Sequence, residues 1–198
     1  MLSNDPWQHI AIDNFLPEER FKQIEELAKR ELDYLDMFGF YTRSGHYIRY
    51  LKEDLLPELN DLFLQMPRSR PYTRPLKKLC HWSIHPAGFT NNTHIDNSSR
   101  ISTFVFYVSP DQNKGTILCK NNSPYLEDHA NAELPSEYEI EVPWKPNTLF
   151  AHNSLDGETW HRYEATTQRC TLNCFFVQPE LIKPDRIENR FLLDLDVV

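Results

Sequence analysis

The sequence has no long apolar run. No stretch approaches the roughly 20 apolar residues that a membrane-spanning helix needs, and the N-terminus lacks the basic and then apolar segments of a signal peptide. We therefore expect a cytoplasmic protein with no membrane partner. Cysteine is also scarce: there are four, without a Cys-x-x-Cys pair, so a disulfide framework is not expected at this length. We interpret all four cysteines as small buried apolar groups.

Positive charge is in the minority. The chain has 21 Lys and Arg residues against 29 Asp and Glu residues, which gives a formal net charge of −8 at pH 7. A surface that binds nucleic acid needs the opposite sign, so nucleic acid is not an expected partner. The basic cluster at 68–78 is interpreted as a solvated loop leading into a strand. The charge suits a small-molecule, peptide or protein substrate, and it leaves open whether the protein is a monomer or a homo-oligomer.

The length of 198 residues predicts a single domain, residues 1–198. Residues 1–75 are expected to form a helical support region. In this region a strand at 7–12 precedes a helix that Asn14 caps, and a second helix lies within 51–66.

Short strands separated by turn residues dominate from residue 76 onward. Residues 76–178 are expected to form the core, with eight strands at 77–85, 91–96, 101–109, 115–120, 136–142, 147–151, 159–165 and 169–177. The predicted fold class is α+β but mainly β: a double-stranded β-helix, or jelly roll, braced by N-terminal helices. The polar segment 121–135 is either a lid or a passive surface loop. The C-terminal extension 179–198 either packs on the helices or contacts another subunit.

Three potential metal ligands have a spacing that suits a metal site. His94 and Asp96 are two residues apart, so in a strand their side chains leave the same face. His161 follows sixty-five residues after Asp96. Two imidazoles and one carboxylate form the ligand set of non-haem Fe(II) oxygenases, which leaves coordination positions open. Arg169, eight residues beyond His161, offers a fixed cation that can pair with a dicarboxylate.

Several segments, in this order along the chain, resemble the Fe(II)/2-oxoglutarate-dependent oxygenases, and most of all their prolyl-4-hydroxylase-like branch. The resemblance covers most of the chain at low identity. It rests on the entry strand and first helix start at 7–16, the loop and His-x-Asp motif at 85–97, the segments at 104–108 and 115–118, the Trp-His-Arg sequence at 160–162 and the Arg-containing strand at 169–176. The His-x-Asp motif alone is a weak signal, but the ordered set is specific.

The resemblance implies a set of cofactors and their ligands. His94, Asp96 and His161 would bind Fe(II). Arg169 and Thr171, which leave the same face of a strand, would hold the distal carboxylate of 2-oxoglutarate. O2 would be the cosubstrate, with ascorbate as an optional reductant. Family members often place a tyrosine near the start of the loop before the His-x-Asp motif, and here the nearest equivalent is His85, which becomes a further candidate contact for 2-oxoglutarate.

The implied activity is hydroxylation of an unactivated C–H bond. The carboxylate at Asp96 supports this, because Gly or Ala there would open a halide site. The substrate would be a protein side chain of the prolyl type or a small amino-acid-like metabolite. Four residues are candidates for contacting it: Asn92, Arg100, Trp160 and Tyr163. His152, which precedes the strand carrying His161, is a candidate for a supporting position beside the metal ligands.

Two other functions stay open at this point. The same fold can serve as a non-catalytic module that binds or senses a metal or 2-oxoglutarate. A His and carboxylate site can also bind Zn²⁺ for hydrolysis. Arg169 with Thr171 has no obvious use in a hydrolase, which counts against that alternative.

Overall fold

The computed structural model describes residues 2–41, 45–66, 71–72, 75–120, 138–155 and 158–181. The elements in chain order are β1 (Leu2–Ser3), β2 (His9–Ile12), α1 (Glu18–Phe38), β3 (Tyr47–Tyr50), α2 (Leu59–Gln65), β4 (Lys77–His85), β5 (Thr90–His94), β6 (Arg100–Ser109), β7 (Thr116–Lys120), β8 (Tyr138–Val142), β9 (Thr148–Asn153), β10 (His161–Glu164) and β11 (Arg169–Val177). A short 3-10 helix, Pro179–Leu181, follows β11.

The strands of the described residues form two antiparallel sheets. The larger sheet has the order β1-β2-β9-β6-β11-β4-β3, and the smaller has the order β5-β10-β7-β8. The eight predicted strands correspond to β4 through β11, and each sheet contains four of them. Two antiparallel four-stranded layers built in this way are a jelly roll, so the predicted fold class is confirmed.

Strand β11 shows how the sequence assigns its two faces. Cys170, Leu172, Cys174 and Phe176 are buried in the main apolar core, which also contains the inward residues of the two helices. The alternate residues Arg169, Thr171, Asn173 and Phe175 line a cavity between the sheets. This period-two pattern is typical of a strand that has a different neighbour on each face.

Helix α1 covers the outer face of the larger sheet. Its apolar residues Phe21, Ile24, Ala28 and Leu35 follow the helical period and are buried against that sheet. Burial of each large apolar side chain stabilises the fold by about 1.5–3 kcal/mol, so this face fixes the helix in place. The four cysteines are buried and free, as predicted.

The start of α1 differs from the prediction. Asn14 does not cap the helix: its φ is 51°, it lies in the preceding turn, and the helix begins at Glu18 after Pro17. Instead, the Asn147 side chain fixes this turn by accepting a hydrogen bond from the Leu16 amide and donating one to the Leu16 carbonyl.

The end of α1 has a simple geometric cause. Gly39 has a φ of 63°, in the left-handed region that glycine adopts readily, and its amide donates to the carbonyl of Leu35. This terminates the helix at Phe38.

The N-terminal region is less helical than predicted. Strands β1 and β2 extend one edge of the larger sheet, and the unpredicted β3 forms the other edge. The second helix, α2, is limited to Leu59–Gln65. The segment 121–135 and residues 182–198 lie outside the described residues, so the predictions for them stay predictions. No helix in the described part of the chain is long and apolar enough to cross a membrane.

Candidate active site

A cavity of about 190 Å³ lies between the two sheets. Small-molecule sites typically measure about 300–1,000 Å³, so this cavity can enclose a small cosubstrate and only a limited part of a second molecule. Residues of β4, β6 and β11 line it from the larger sheet, and residues of β5, β7 and β10 line it from the smaller sheet.

The three predicted metal ligands meet in this cavity. His94 at the end of β5 and His161 at the start of β10 are cross-strand partners, and their rings are 4.4 Å apart. Asp96 lies just beyond β5, which ends two residues earlier than predicted. One ligand atom from each of the three side chains lies within 4.8 Å of the other two. This separation suits three ligands on one face of a single ion.

Backbone carbonyls orient both imidazoles. Nδ1 of His94 is 2.7 Å from the carbonyl oxygen of Asn92, and Nδ1 of His161 is 2.9 Å from that of Thr159. A carbonyl only accepts, so each Nδ1 must carry the proton. Each Nε2 then carries the lone pair that a metal requires.

The Asp96 carboxylate is buried in a polar environment. Arg100 Nη1 lies 2.7 Å from its Oδ1, the Thr103 hydroxyl donates to its Oδ2, and Nε2 of His152 lies 3.6 Å from Oδ2. Burial alone would raise the pKa of Asp96, but Arg100 and then His161 hold it well below its ordinary value. The carboxylate is therefore ionised at neutral pH.

Both candidate metal-binding histidines are neutral at neutral pH. Burial lowers the pKa of His94 to about 4, and it lowers the pKa of His161 to about 4 against the opposing effect of Asp96. Metal ions bind neutral imidazole and ionised carboxylate. All three side chains are therefore already in the protonation state that binding needs.

Arg169 is a buried cation without an anionic partner in the described part of the chain. It is 2% exposed, and its Nε and Nη1 atoms make no hydrogen bond. Its guanidinium lies 4.4 Å from the ring centre of Tyr163 and 4.7 Å from that of Trp144. Desolvation lowers the pKa of Arg169, and the groups that oppose this effect are Tyr163, Tyr107 and Cys170 rather than a carboxylate. A buried cation in this state favours an anionic ligand.

Tyr163 adds a hydroxyl group beside that cation. Its oxygen lies 2.8 Å from Nε2 of His85, and the Ser83 hydroxyl lies 2.7 Å from the same nitrogen. Burial, followed by Arg169, lowers the pKa of His85 to about 2, so its ring is neutral. A ring nitrogen has either one proton or one lone pair, so it cannot satisfy both hydroxyls fully. One hydroxyl can therefore turn toward a ligand at Arg169.

Strands β4 and β11 carry three cross-strand pairs that face the cavity, which we call the first, second and third facing pairs. In that order they are Arg169 with His85, Thr171 with Ser83, and Asn173 with His81. The first pair contains the unpaired cation and the second contains two hydroxyls. The third contains a carboxamide and an imidazole.

The four candidate substrate residues have different positions. Arg100 and Tyr163 line the cavity. Asn92 contributes its backbone carbonyl to His94, while the neighbouring Asn91 side chain lines the cavity. Trp160 is not brought into the cavity: it is 1% exposed and packs in an apolar cluster with Ile95, Ile117 and Cys119.

The sequence indicated only some of the other residues around the cavity. His152 is fully buried, and its ring centre lies 5.1 Å from that of His161. Sequence reasoning gave no site role to His81, Thr103 or Trp144. Strand alternation could have indicated His81, because it is two and four residues from Ser83 and His85 on the same face.

Solved structures of low sequence identity have the same fold. A Pseudomonas putida prolyl-4-hydroxylase matches with a TM-score of 0.60 and 18% identity, over 86% of this chain and 92% of that chain. A prolyl hydroxylase from Trichoplax adhaerens matches with a TM-score of 0.61 and 16% identity, over 87% of this chain and 84% of that chain. It was solved with a peptide fragment of the hypoxia inducible factor oxygen degradation domain. The non-heme alpha ketoglutarate dependent epimerase SnoN from nogalamycin biosynthesis matches with a TM-score of 0.57 and 12% identity, over 86% of this chain and 78% of that chain.

The chain matches no protein-family model and no curated protein sequence. At 12–18% identity the structural matches establish the fold. That fold is the one adopted by prolyl-4-hydroxylases and by other Fe(II)/2-oxoglutarate-dependent oxygenases.

Proposed function

We propose that this protein is an Fe(II)- and 2-oxoglutarate-dependent dioxygenase that hydroxylates an unactivated C–H bond. One observation carries the proposal: a buried guanidinium without an anionic partner among the described residues shares a small cavity with a His, Asp and His cluster. The cluster fits a divalent metal and the guanidinium fits a carboxylate. 2-Oxoglutarate has both a carboxylate and a metal-chelating keto acid.

His94, Asp96 and His161 would hold the iron. Three protein ligands on one face leave the other positions open for 2-oxoglutarate and O2. When bound, iron and 2-oxoglutarate supply the activation of O2 for hydroxylation. The protein contributes orientation: the carbonyls of Asn92 and Thr159 fix the rings, while Arg100 and Thr103 fix the Asp96 carboxylate.

Arg169 would bind the distal carboxylate of 2-oxoglutarate. The carboxylate would accept charge-assisted hydrogen bonds from the guanidinium, whose Nε and Nη1 atoms have no partner among the described residues. Tyr163, placed over the guanidinium, would donate a further hydrogen bond from its hydroxyl. His85 would position Tyr163 through Nε2, and the Thr171 hydroxyl would close the same face of the pocket.

The substrate would be a protein or peptide side chain, as in prolyl hydroxylation, or a small amino-acid-like molecule. The Trichoplax neighbour was solved with a peptide, which supports the first class. The epimerase of nogalamycin biosynthesis supports the second, because the same fold there serves a small-molecule pathway. In either class the cavity volume admits only a limited part of the substrate.

An anaerobic titration with Fe(II) and 2-oxoglutarate tests the assignment. The wild type is expected to develop the visible charge-transfer band of the iron chelate and to form succinate when O2 is admitted. His94→Ala is expected to give no band. Arg169→Met is expected to need at least about tenfold more 2-oxoglutarate for the same band, because it loses charge-assisted hydrogen bonds. Leu64→Ala, at an exposed position of α2, is the matched control and is expected to titrate like the wild type.

The outcomes separate the alternatives. A wild type without a band would refute the oxygenase assignment. A normal band without succinate, over a broad set of peptide and metabolite candidates, would indicate a binding or sensing module instead. Mass spectrometry that finds a product heavier by one oxygen atom would identify the substrate.

A further inference from the structure

The third facing pair, Asn173 and His81, has polar atoms that the described residues leave unsatisfied. The two residues are directly opposite each other on β11 and β4, so their Cβ atoms are about 4.5–5.5 Å apart. Both side chains line the cavity. Oδ1 of Asn173 and Nδ1 of His81 are buried and have no hydrogen-bond partner within the described part of the chain. Buried polar atoms normally have partners, so this pair is suited to a ligand.

The pair is separate from the proposed cosubstrate pocket. Asn173 lies four residues from Arg169 along β11, which corresponds to about 13 Å. The second facing pair, Thr171 and Ser83, lies between them. An anion bound to Arg169 would therefore not contact the third pair. In the proposed reaction the other organic molecule in the cavity is the substrate, so the substrate is the candidate to contact this pair.

Flat side chains enclose this end of the cavity. The His81 ring centre is 5.3 Å from that of Tyr50 and 5.3 Å from that of Phe175. Arg100, which also pairs with Asp96, places its guanidinium 3.8 Å from the Phe175 ring centre. The polar pair is thus framed by planar surfaces, and Arg100 is close enough to lower the pKa of His81.

The hydrogen-bonding character of the pair selects a neutral group. Burial, then Arg100 and His46, lowers the pKa of His81 to about 3, so the ring is neutral and carries a single N–H. A carboxylate has only acceptors and would leave Oδ1 of Asn173 unsatisfied. An ammonium has only donors and would lie near the Arg100 cation. An amide offers an N–H to Oδ1 and a carbonyl oxygen to the N–H of His81.

We infer that His81 and Asn173 form a subsite for an uncharged amide of the substrate, either a peptide bond or a carboxamide. The inference rests on the proposed function only in taking the amide to belong to the molecule that is hydroxylated. It favours a peptide or another amide over a free amino acid as the substrate, and it assigns specificity to a pair of residues on the far side of the cavity from Arg169.

Nuclear magnetic resonance of the His81 imidazole tests the subsite directly. The ¹H–¹⁵N signal of His81 is assigned by its loss in His81→Phe. Wild-type protein is then titrated with N-methylacetamide or methylammonium chloride at matched ionic strength, and sodium acetate is titrated into Arg169→Met, which lacks the carboxylate pocket proposed above. A saturable shift is expected with N-methylacetamide alone. Asn173→Leu is expected to raise the Kd of the amide at least about tenfold, because one buried hydrogen bond is lost.

Controls keep the result interpretable. Asn173→Ser serves as a second variant if Asn173→Leu does not fold, and Leu64→Ala is expected to leave the Kd unchanged. A tighter response to acetate or methylammonium would overturn the inference. The absence of a saturable amide response in the wild type, or an unchanged Kd in both Asn173 variants, would overturn it as well. The titration needs neither iron nor 2-oxoglutarate, so it fails or succeeds independently of the charge-transfer assay.

Discussion

We expect the variant Arg169→Met to distinguish the energetic cost of burying Arg169 from the contribution of Arg169 to 2-oxoglutarate binding. We expect this variant to be at least as stable as the wild type when 2-oxoglutarate is absent, and to gain almost nothing when it is added. Methionine keeps an unbranched, adaptable side chain against the rings of Tyr163 and Trp144, so the packing around the position is largely preserved.

The structure gives the sign and an approximate size. Each unpartnered buried N–H of Arg169 costs about 1–3 kcal/mol, and Nε and Nη1 both lack partners. The ring contacts offset this by about 0.5–2 kcal/mol each. Desolvation lowers the pKa of Arg169, so burial of the charged form adds to the cost of the unpartnered N–H groups. The unfolding free energy of Arg169→Met should therefore equal or exceed that of the wild type, by up to about 3 kcal/mol.

Urea denaturation with and without 2-oxoglutarate measures both effects. At a ligand concentration of 100 times Kd the wild type should gain about 2.7 kcal/mol, whereas Arg169→Met should gain much less at the same concentration. Arg162→Met is the matched control, because Arg162 already has carboxylate partners in Glu139 and Glu164. It should lose no more than about 1 kcal/mol, since these pairs are partly exposed, and it should keep the full gain from 2-oxoglutarate.

Two results would refute this reasoning. If Arg169→Met is less stable than the wild type by several kcal/mol without 2-oxoglutarate, Arg169 has a structural role that its contacts do not reveal. If 2-oxoglutarate stabilises Arg169→Met as much as the wild type, the carboxylate binds elsewhere.

Three further predictions concern single positions. Tyr163→Phe should raise the Kd for 2-oxoglutarate about tenfold by isothermal titration, since it removes one hydroxyl donor; an unchanged Kd would exclude Tyr163 from the pocket. Gly115→Ala should lower the unfolding free energy measured in urea by at least about 2 kcal/mol, because the Cβ atom of the alanine would lie 1.7 Å from the Val142 carbonyl oxygen. A change within about 0.5 kcal/mol would contradict the close approach of Gly115 to Val142. Burial lowers the pKa of His81 to about 3 in the folded protein. In the unfolded chain the same imidazole has a pKa of about 6.5, so below about pH 7 the unfolded state binds more protons than the folded state. The unfolding free energy therefore falls as the pH falls. Between about pH 7 and 5, His81→Phe should lose about 1–2 kcal/mol less unfolding free energy than the wild type. An equal loss in the wild type and the variant would show that His81 titrates normally.

The sequence predicted the eight strands of the jelly roll well because their signals are local. Alternating apolar residues and the turn residues between them define each strand, whatever it pairs with. The same alternation placed Arg169 and Thr171 on one face. The edge strand β3 escaped prediction because its four residues have no strong pattern and depend on pairing with β4. Asn14 fits a cap by residue type, but the turn that contains it is fixed through Leu16 by Asn147, which is remote in sequence.

Within the site, position along a strand was more informative than residue type. Trp160 immediately precedes His161 and so should leave the opposite face, where the structure places it among apolar residues. Tyr163 follows His161 by two residues and shares its face. Its proximity to Arg169 could not be predicted, because it depends on how the two sheets are stacked.

The facing pairs of β4 and β11 have a consequence for regiochemistry. Arg169 and Asn173 belong to one continuous strand whose hydrogen bonds to β4 leave no freedom to slide. The backbone therefore fixes the separation of the Arg169 and Asn173 Cα atoms, which carry the proposed carboxylate pocket and the proposed amide subsite. If the proposed function holds, a substrate bound by its amide would present one particular carbon to the metal, and moving the amide by one bond should shift hydroxylation to the neighbouring carbon.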